Sequence, residues 1–240
     1  MVKYVPDRTG RFSQRPHYRA EDLDQECEDL IHSFLKDCYG VAAFPVSTSD
    51  LTRLVERDAE DLDLFADLSV YGADVEGLTE FFPGRKPRVK IASLLADDER
   101  RENRLRTTLT HEYGHVHFHA YLWELESTRG TLFQAKLNGN RQICKRDNIL
   151  DAAQSDWMEW QAGYACGALL MPVSSVRRLV GEYQESNGLY GIIGLNDSHA
   201  RNLIEAVQAS FQVSADAARV RLIKLGILGE TGGGASLFDR

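Results

Sequence analysis

The stretch of residues 105–120, LRTTLTHEYGHVHFHA, is the part of the chain richest in histidine. Four of the seven histidines fall within nine positions, and a glutamate lies among them. The surrounding pattern predicts one long helix over residues 95–126. We therefore expect the fold to be organised around this helix and around whatever its side chains bind. The five residues are His111, Glu112, His115, His117 and His119.

His111, Glu112 and His115 match the HExxH pattern of metal-binding helices. Residues four apart on a helix lie about 40° apart around its axis and one turn along it. The two imidazoles therefore point the same way and can bind one metal ion. Glu112 faces a neighbouring direction, from which its carboxylate can accept a proton from a water molecule at the metal.

The other two histidines of the stretch are expected not to share this ion. His117 is two residues beyond His115, about 200° around the helix, and faces away. His119 returns to the same side but lies about 12 Å along the axis from His111, too far for ligands that are each about 2 Å from one zinc ion. Both are interpreted as residues that support the site, face a substrate or lie at the surface.

A third protein ligand must come from another part of the chain. One class of HExxH zinc site has a further histidine where this chain has Tyr121. The best distant candidate is Glu159, in the apolar helix predicted over residues 155–171, because a buried carboxylate requires a partner such as a metal ion. Asp156, three residues earlier on that face, is the alternative ligand or a group that orients one of the histidines.

Two histidines and one carboxylate would leave the fourth position of a tetrahedral zinc ion open, as in catalytic sites. Zinc, with manganese as a substitute, is therefore the expected cofactor. Such an ion lowers the pKa of a water molecule and polarises a carbonyl group, while Glu112 acts as general base. The predicted reaction is hydrolysis of a peptide bond, with His111, His115 and Glu159 as metal ligands.

The whole chain predicts an α+β fold with a small sheet beside the histidine helix and a helical C-terminal part. Residues 1–18 are polar and contain two prolines, so they are predicted to form a flexible arm. Apolar residues at helical spacing predict a helix over residues 20–38. Residues 75–93 indicate two strands joined by a turn that contains proline and glycine.

The sequence divides into a main domain and smaller C-terminal parts. The metallopeptidase domain is expected over residues 19–195. Within it, residues 127–152 lack sustained periodicity and are predicted to form a long connection. Two helices separated by the turn FQVS form a helix-turn-helix-like part over residues 196–228. The glycine-rich tail, residues 229–240, is expected to be disordered.

Composition indicates a cytoplasmic protein that does not enter membranes. The chain has 240 residues and a formal charge of −8, which argues against a general nucleic-acid binder. No apolar run reaches the roughly 18 residues of a membrane span, and the N-terminus lacks the apolar core of a secretory signal. None of the four cysteines forms a CxxC pair; Cys166 is expected in the core, whereas Cys144 lies in a polar stretch and could be exposed.

Three stretches resemble the ImmA/IrrE family of zinc metallopeptidases. Residues 104–115, RLRTTLTHEYGH, are similar to its HExxH signature, and residues 159–172, EWQAGYACGALLMP, are similar to its second conserved helix. Residues 211–228, FQVSADAARVRLIKLGIL, resemble its C-terminal element. The likeness spans roughly residues 28–228. The chain departs from the family pattern at Tyr113, where leucine or isoleucine is usual.

The resemblance implies that His111, His115 and Glu159 bind zinc in a gluzincin-like site within a small zincin-like fold. Glu112 would be the general base. The resemblance also implies a cytoplasmic regulator whose partner is a helix-turn-helix repressor, which it cleaves or inactivates to release genes of a mobile element or a stress response. The connection 127–152 is longer than in compact members of the family, so details of substrate binding do not transfer.

Two other functions are compatible with the sequence. The helices around FQVS could bind DNA, with Arg219, Arg221 and Lys224 on the second helix. A packing role for these helices is favoured, because basic residues are few and the chain is acidic. The other alternative is a zinc-binding regulatory module that sequesters a repressor without proteolysis, since the presence of Glu112 does not by itself establish turnover.

Overall fold

The computed structural model of the protein describes residues 2–128, 141–145 and 156–230. Within these residues, helices and small sheets are mixed, which confirms the predicted α+β class. No helix in this part of the chain is long and apolar enough to cross a membrane. Most of the long connection and of the C-terminal tail lies outside the described residues, and so do the predictions made for them.

The chain begins with a hairpin in which β1 (Lys3–Pro6) pairs antiparallel with β2 (Gln14–His17). The segment between the strands packs inward, because Phe12 is buried and its ring lies edge-on to Trp123 at a centroid distance of 4.8 Å. The prediction of a flexible arm over residues 1–18 is therefore wrong for this hairpin. Burial of one aromatic side chain can hold an otherwise polar segment against the protein.

The main sheet has four strands, one of which comes from the long connection. β3 (Asp61–Ala66) runs parallel to β5 (Arg85–Ala92), and β4 (Val75–Phe82) runs antiparallel to β5 and to β6 (Arg141–Lys145). The order across the sheet is β3, β5, β4, β6. β4 and β5 are the two predicted strands, joined at Gly84, whose φ of 69° suits a tight turn. The long connection predicted over residues 127–152 thus contains a strand, β6, which no periodicity marks because its pairing partner is distant in the sequence.

Helices pack against the main sheet and extend the fold toward the C-terminus. The histidine helix, α4 (Glu102–Thr128), begins at residue 102 and not at residue 95 as predicted. The reason is local: the Asp98 side chain accepts a hydrogen bond from the amide of Arg100 and starts a single 3-10 turn before α4. The other helices are α1 (Ala20–Tyr39), α2 (Thr48–Asp58), α3 (Ser93–Ala96), α5 (Trp157–Leu170), α6 (Val173–Asn187), α7 (Ser198–Phe211) and α8 (Ala215–Lys224).

α4 lies between the main sheet and α5, so its buried residues occur all around the helix. Gly114 allows α5 to approach closely, because a Cβ atom at this position would lie 3.0 Å from the Cα of Ala162. This contact places the third and fourth turns of α4 beside the first two turns of α5. The histidines of α4 and the carboxylate of Glu159 therefore meet in the interior.

α7 and α8 share one hydrophobic core with the rest of the protein. Arg221 of α8 is buried, with its guanidinium 2.6 Å from the carboxylate of Asp24 and donating to the carbonyl of Met171 at 3.0 Å. Lys224 lies over the ring of Tyr164, 5.5 Å from its centroid. Two of the three basic residues considered for DNA binding are therefore engaged within the protein, which supports the packing role of these helices.

The last two strands of the described residues form a small parallel sheet. β7 (Ile193–Gly194) pairs with β8 (Leu228–Gly229), and both contribute a buried apolar residue, Ile193 and Leu228. The prediction of disorder from residue 229 is therefore wrong for Gly229, which is the last residue of this pairing. The rest of the tail beyond residue 230 lies outside the described residues.

Candidate metal centre

Two histidines of α4 and one glutamate of α5 form a compact group of metal-binding atoms. The Nε2 atoms of His111 and His115 are 3.2 Å apart, since one helical turn separates the two residues. Glu159 meets them from α5, with Oε2 3.1 Å from His111 Nε2 and Oε1 3.2 Å from His115 Nε2. All three side chains are buried. The structure thus brings together the three residues that were predicted from the sequence to bind a metal ion.

The spacing of these atoms fits a tetrahedral zinc ion. Two ligands about 2.0 Å from zinc at a tetrahedral angle are about 3.3 Å apart. The two imidazole nitrogens are 3.2 Å apart, and each lies 3.1–3.2 Å from a different oxygen of the Glu159 carboxylate, Oε2 for His111 and Oε1 for His115. Two imidazole nitrogens and one carboxylate oxygen are also donors that zinc commonly takes in proteins. The group can therefore hold zinc and leave one position for a further ligand.

Glu159 is held in place by a hydrogen bond from β6. The side-chain amide of Gln142 donates to Oε1 of Glu159 at 2.6 Å. Burial alone would raise the pKa of Glu159, but the imidazoles of His115 and His111 outweigh burial and hold that pKa well below its usual value. The carboxylate is therefore ionised, as a metal ligand must be. Sequence reasoning missed Gln142, because it lies in the long connection and no local pattern marks it.

The carboxylate of Glu112 lies buried between α4 and β4, beside a ring nitrogen of His111. Thr79 of β4 donates its hydroxyl hydrogen to Oε2 at 2.5 Å. Oε1 has no hydrogen-bond partner among the described residues. Burial raises the pKa of Glu112, although the neighbouring His115 and His111 act in the opposite direction. One anchored oxygen and one unpartnered oxygen suit a group that accepts a proton from a reacting molecule.

A chain of hydrogen bonds fixes the orientation of His115. The side-chain amide of Gln161 donates to the carbonyl of Pro16 at 3.1 Å, which turns its Oε1 toward His119 Nε2, 3.0 Å away. His119 therefore carries its proton on Nε2 and accepts at Nδ1, which lies 3.0 Å from His115 Nδ1. His115 must donate from Nδ1, so its Nε2 keeps a lone pair for the metal. Burial lowers the pKa of His119 and keeps its ring neutral, as this chain requires.

Two residues considered from the sequence lie outside the centre. Asp156 occupies the N-cap position of α5 and belongs to no group of metal-binding atoms among the described residues. His117 is partly buried, and its Nε2 lies 2.9 Å from Oε1 of Glu26 on α1. It points away from the centre, as the rotation of the helix predicts.

A second group of metal-binding atoms shares His111 with the first. A ring nitrogen of His111, a carboxylate oxygen of Glu112 and the Sγ of Cys144 lie within 4.8 Å of one another. Cys144 is fully buried, so the sequence-based suggestion that it could be exposed is wrong. Its side chain alternates along β6 with that of the partly buried Ile143, and the strand pairing turns the thiol toward α4.

No protein-family model matches this chain, and a search of curated proteins finds no significant match. The role of the centre is therefore inferred from its own geometry and chemistry.

Proposed function

We propose that the protein is a zinc-dependent endopeptidase. The observation that carries the proposal is the convergence of His111, His115 and Glu159, with the carboxylate of Glu112 beside His111. Three protein donors leave one position of a tetrahedral ion for a reacting molecule, which is the arrangement of catalytic zinc sites. Manganese can replace zinc, because nitrogen and oxygen donors also bind it.

Zinc at this centre would lower the pKa of a water molecule and polarise the carbonyl of the bond to be cut. Glu112 accepts the proton of the attacking water at Oε1, while Thr79 holds Oε2 and fixes the plane of the carboxylate. Glu112 then returns this proton to the leaving amine.

The proposed substrate is a helix-turn-helix repressor of transcription. This choice rests on the resemblance of residues 104–115 and 159–172 to the ImmA/IrrE metallopeptidases. The same resemblance implies a zincin-like fold, and a sheet beside α4 with helices on the C-terminal side is compatible with one. Cleavage of the repressor in the cytoplasm would release genes of a mobile element or of a stress response.

A zinc-binding module that sequesters a repressor without cutting it is the second candidate. The burial of the centre favours it, since His111, Glu112 and His115 have no exposed surface in this conformation. A peptide can reach these side chains only after the centre opens. Direct binding to DNA is not proposed, because Arg221 is buried against Asp24.

Cleavage of a repressor tests the proposal. The purified protein with zinc would be incubated with the repressor encoded beside its gene, and the products would be measured by intact mass. The parent should yield two fragments, and Glu112→Gln should be slower by about 100-fold or more. Glu56→Gln, which neutralises an exposed carboxylate on α2, is the matched control and should cut as the parent does.

The outcomes separate the two candidates. An intact repressor that remains bound to the zinc-loaded parent would support sequestration and overturn the endopeptidase. A repressor that is neither bound nor cut would overturn both. Salt-sensitive binding of DNA by the protein alone would instead support a role for the C-terminal helices in DNA recognition.

A further inference from the structure

Hydrogen bonds connect two of the three proposed metal ligands to the N-terminal hairpin. The chain that begins at His115 ends at the carbonyl oxygen of Pro16 in β2. A second chain begins at Glu159, whose Oε1 accepts from the side-chain amide of Gln142 at 2.6 Å. The Oε1 atom of Gln142 in turn accepts from a guanidinium nitrogen of Arg11 at 3.1 Å. Arg11 and Pro16 belong to the same hairpin, so a single segment supports ligands that lie on two different helices.

Arg11 determines which way the side-chain amide of Gln142 points. A guanidinium group can only donate hydrogen bonds, so the amide oxygen of Gln142 faces Arg11. A carboxylate can only accept them, so the amide nitrogen faces Glu159. If the amide turned over, its oxygen would face the carboxylate oxygen of Glu159, and two buried acceptors would lie together without a donor between them. Arg11 therefore fixes the amide in the orientation that supports the ionised carboxylate.

The loop between β1 and β2 holds Arg11 in this position. The Asp7 carboxylate accepts hydrogen bonds from the backbone amides of Thr9 and Phe12, each at 3.0 Å. The same carboxylate accepts from the indole nitrogen of Trp157 on α5 at 3.2 Å. Phe12, the residue after Arg11, is buried in a small hydrophobic cluster that is separate from the main core. A two-stranded hairpin is at best marginally stable by itself, so its order depends on these contacts and on the bonds to the metal centre.

We propose that Arg11 is a positioning residue of the metal centre, and that zinc binding is coupled to docking of the N-terminal hairpin. The inference rests on the proposed zinc site of His111, His115 and Glu159. The docked hairpin holds two of these ligands in their metal-binding orientation before the ion binds, so less conformational freedom is lost on binding. Because such coupling is reciprocal, zinc must stabilise the docked hairpin by the same factor by which the hairpin raises the affinity for zinc.

Zinc affinity tests the positioning role without relying on activity. The affinity of the full-length protein would be measured by competition with a chelating dye. Arg11→Met should bind zinc about 10-fold more weakly, which is the usual scale for loss of a group that orients a metal ligand. Arg11→Lys keeps a cationic donor and should recover much of the affinity. Arg8→Met is the matched control, because Arg8 is an exposed arginine of the same loop, and should bind zinc as the parent does.

A double variant tests whether Arg11 acts through Gln142. Gln142→Leu removes the amide, so the further change Arg11→Met should then have little effect on the affinity for zinc. Losses that multiply in the double variant would mean that Arg11 only stabilises the fold in general, and would overturn its positioning role. Equal affinities for Arg11→Met and Arg8→Met would overturn that role as well.

Hydrogen exchange of the parent tests the coupling and needs no variant. Amides of the hairpin, residues 3–17, would be followed by mass spectrometry in zinc-free and in zinc-loaded protein. Exchange should be slower with zinc, and this slowing should be smaller in Arg11→Met. Unchanged exchange in the parent would overturn the coupling and leave the proposed endopeptidase standing. A parent that binds no zinc would overturn both the site and this inference.

Discussion

Gly77 of β4 lies directly against the carboxyl group of Glu112, with no room for a side chain between them. A Cβ atom at position 77 would be 2.9 Å from Cγ and 2.8 Å from Cδ of Glu112. The backbone of Gly77 adopts no left-handed conformation, so the glycine is needed for this close approach alone. The strand can therefore carry Thr79 to within hydrogen-bond distance of the same carboxylate.

Gly77→Ala should impair catalysis without emptying the metal site. Glu112 or β4 must move to accept the methyl group, and a displacement of about 1 Å at a catalytic group can cost about 100-fold in rate. The rate of repressor cleavage and the zinc content would be measured together. Gly181→Ala on α6, where a Cβ meets nothing within 4 Å, should change neither. A Gly77→Ala variant with full activity would contradict the placement of Glu112.

Gly114→Ala should lower the free energy of unfolding by about 1–3 kcal/mol, as overpacked cores usually do. The added Cβ would lie 3.0 Å from Cα and 3.2 Å from the carbonyl oxygen of Ala162, and backbone atoms cannot yield as a flexible side chain can. Urea denaturation measures the change. Gly167→Ala on α5 is the control, because its Cβ would meet only Cδ of Arg221, at an ordinary 3.6 Å. Equal stability of the two variants would show that α4 and α5 are less closely packed.

Glu159→Ala should remove most of the bound zinc. The variant leaves two imidazoles, which are too few donors for a stable site in a buried centre. Zinc would be counted by mass spectrometry after exhaustive dialysis. Asp156→Ala should retain the full amount, because Asp156 belongs to no metal-binding group in the described part of the chain. The reverse result would make Asp156 the third ligand.

His119→Ala should weaken zinc binding by about 10–100-fold, the usual effect of removing a group that orients a metal-binding histidine. The variant deprives His115 Nδ1 of its acceptor, so the ring is free to turn its Nε2 away from the metal. Competition with a chelating dye measures the affinity. His117→Ala removes a histidine that contacts Glu26 and should leave the affinity unchanged. Equal affinities for both variants would rule out the hydrogen-bond chain.

Docking of the N-terminal hairpin should weaken in acid. Burial alone would raise the pKa of Asp7, but hydrogen bonds from Thr9, Phe12 and Trp157 outweigh burial and lower it. The pKa of Asp7 is therefore lower in the folded protein than in the unfolded chain, where it is near 3.9. The stability that ionised Asp7 contributes is fully present above the pKa of the unfolded chain, and it is lost as the pH falls through the lower pKa of the folded protein.

Asp7→Ala should remove this part of the pH dependence. Because Asp7 is only partly buried, the loss of stability at neutral pH should be below about 1 kcal/mol. Tryptophan fluorescence during urea denaturation at neutral pH and near pH 3 measures it, since Trp157 bonds to Asp7. Asp67→Ala, which removes a carboxylate with a lowered pKa far along the chain from the hairpin, is the control. Identical pH dependence in Asp7→Ala and the parent would refute the assignment.

The metal-binding half of α4 follows from the sequence because helix geometry is local. Spacing alone places His111 and His115 on one face, turns His117 away and puts His119 one turn beyond His115. Glu159 could be named because a carboxylate within an apolar helix requires a partner. The structure brings these groups together, but what they bind and cut stays a prediction.

The residues around these donors depend on contacts that no local pattern encodes. Gln142 and Cys144 reach the centre only because β6 pairs with β4, more than sixty positions earlier in the chain. The hydrogen-bond chain of His119 similarly depends on Gln161 of α5 and on Pro16 of the hairpin. A polar segment shows no hydrophobic periodicity, so its strand and the direction of its side chains appear only in the folded protein.

Sequence by itself therefore determined the part of the centre that lies on one helix, together with the α+β class and the distant carboxylate. Only the tertiary structure decided which groups surround that part, which oxygen of Glu112 stays unpartnered, and that the thiol of Cys144 lies near His111 and Glu112. The physical reason is that helical spacing fixes relative positions within one turn, whereas strand pairing and helix packing depend on the free energy of the whole fold.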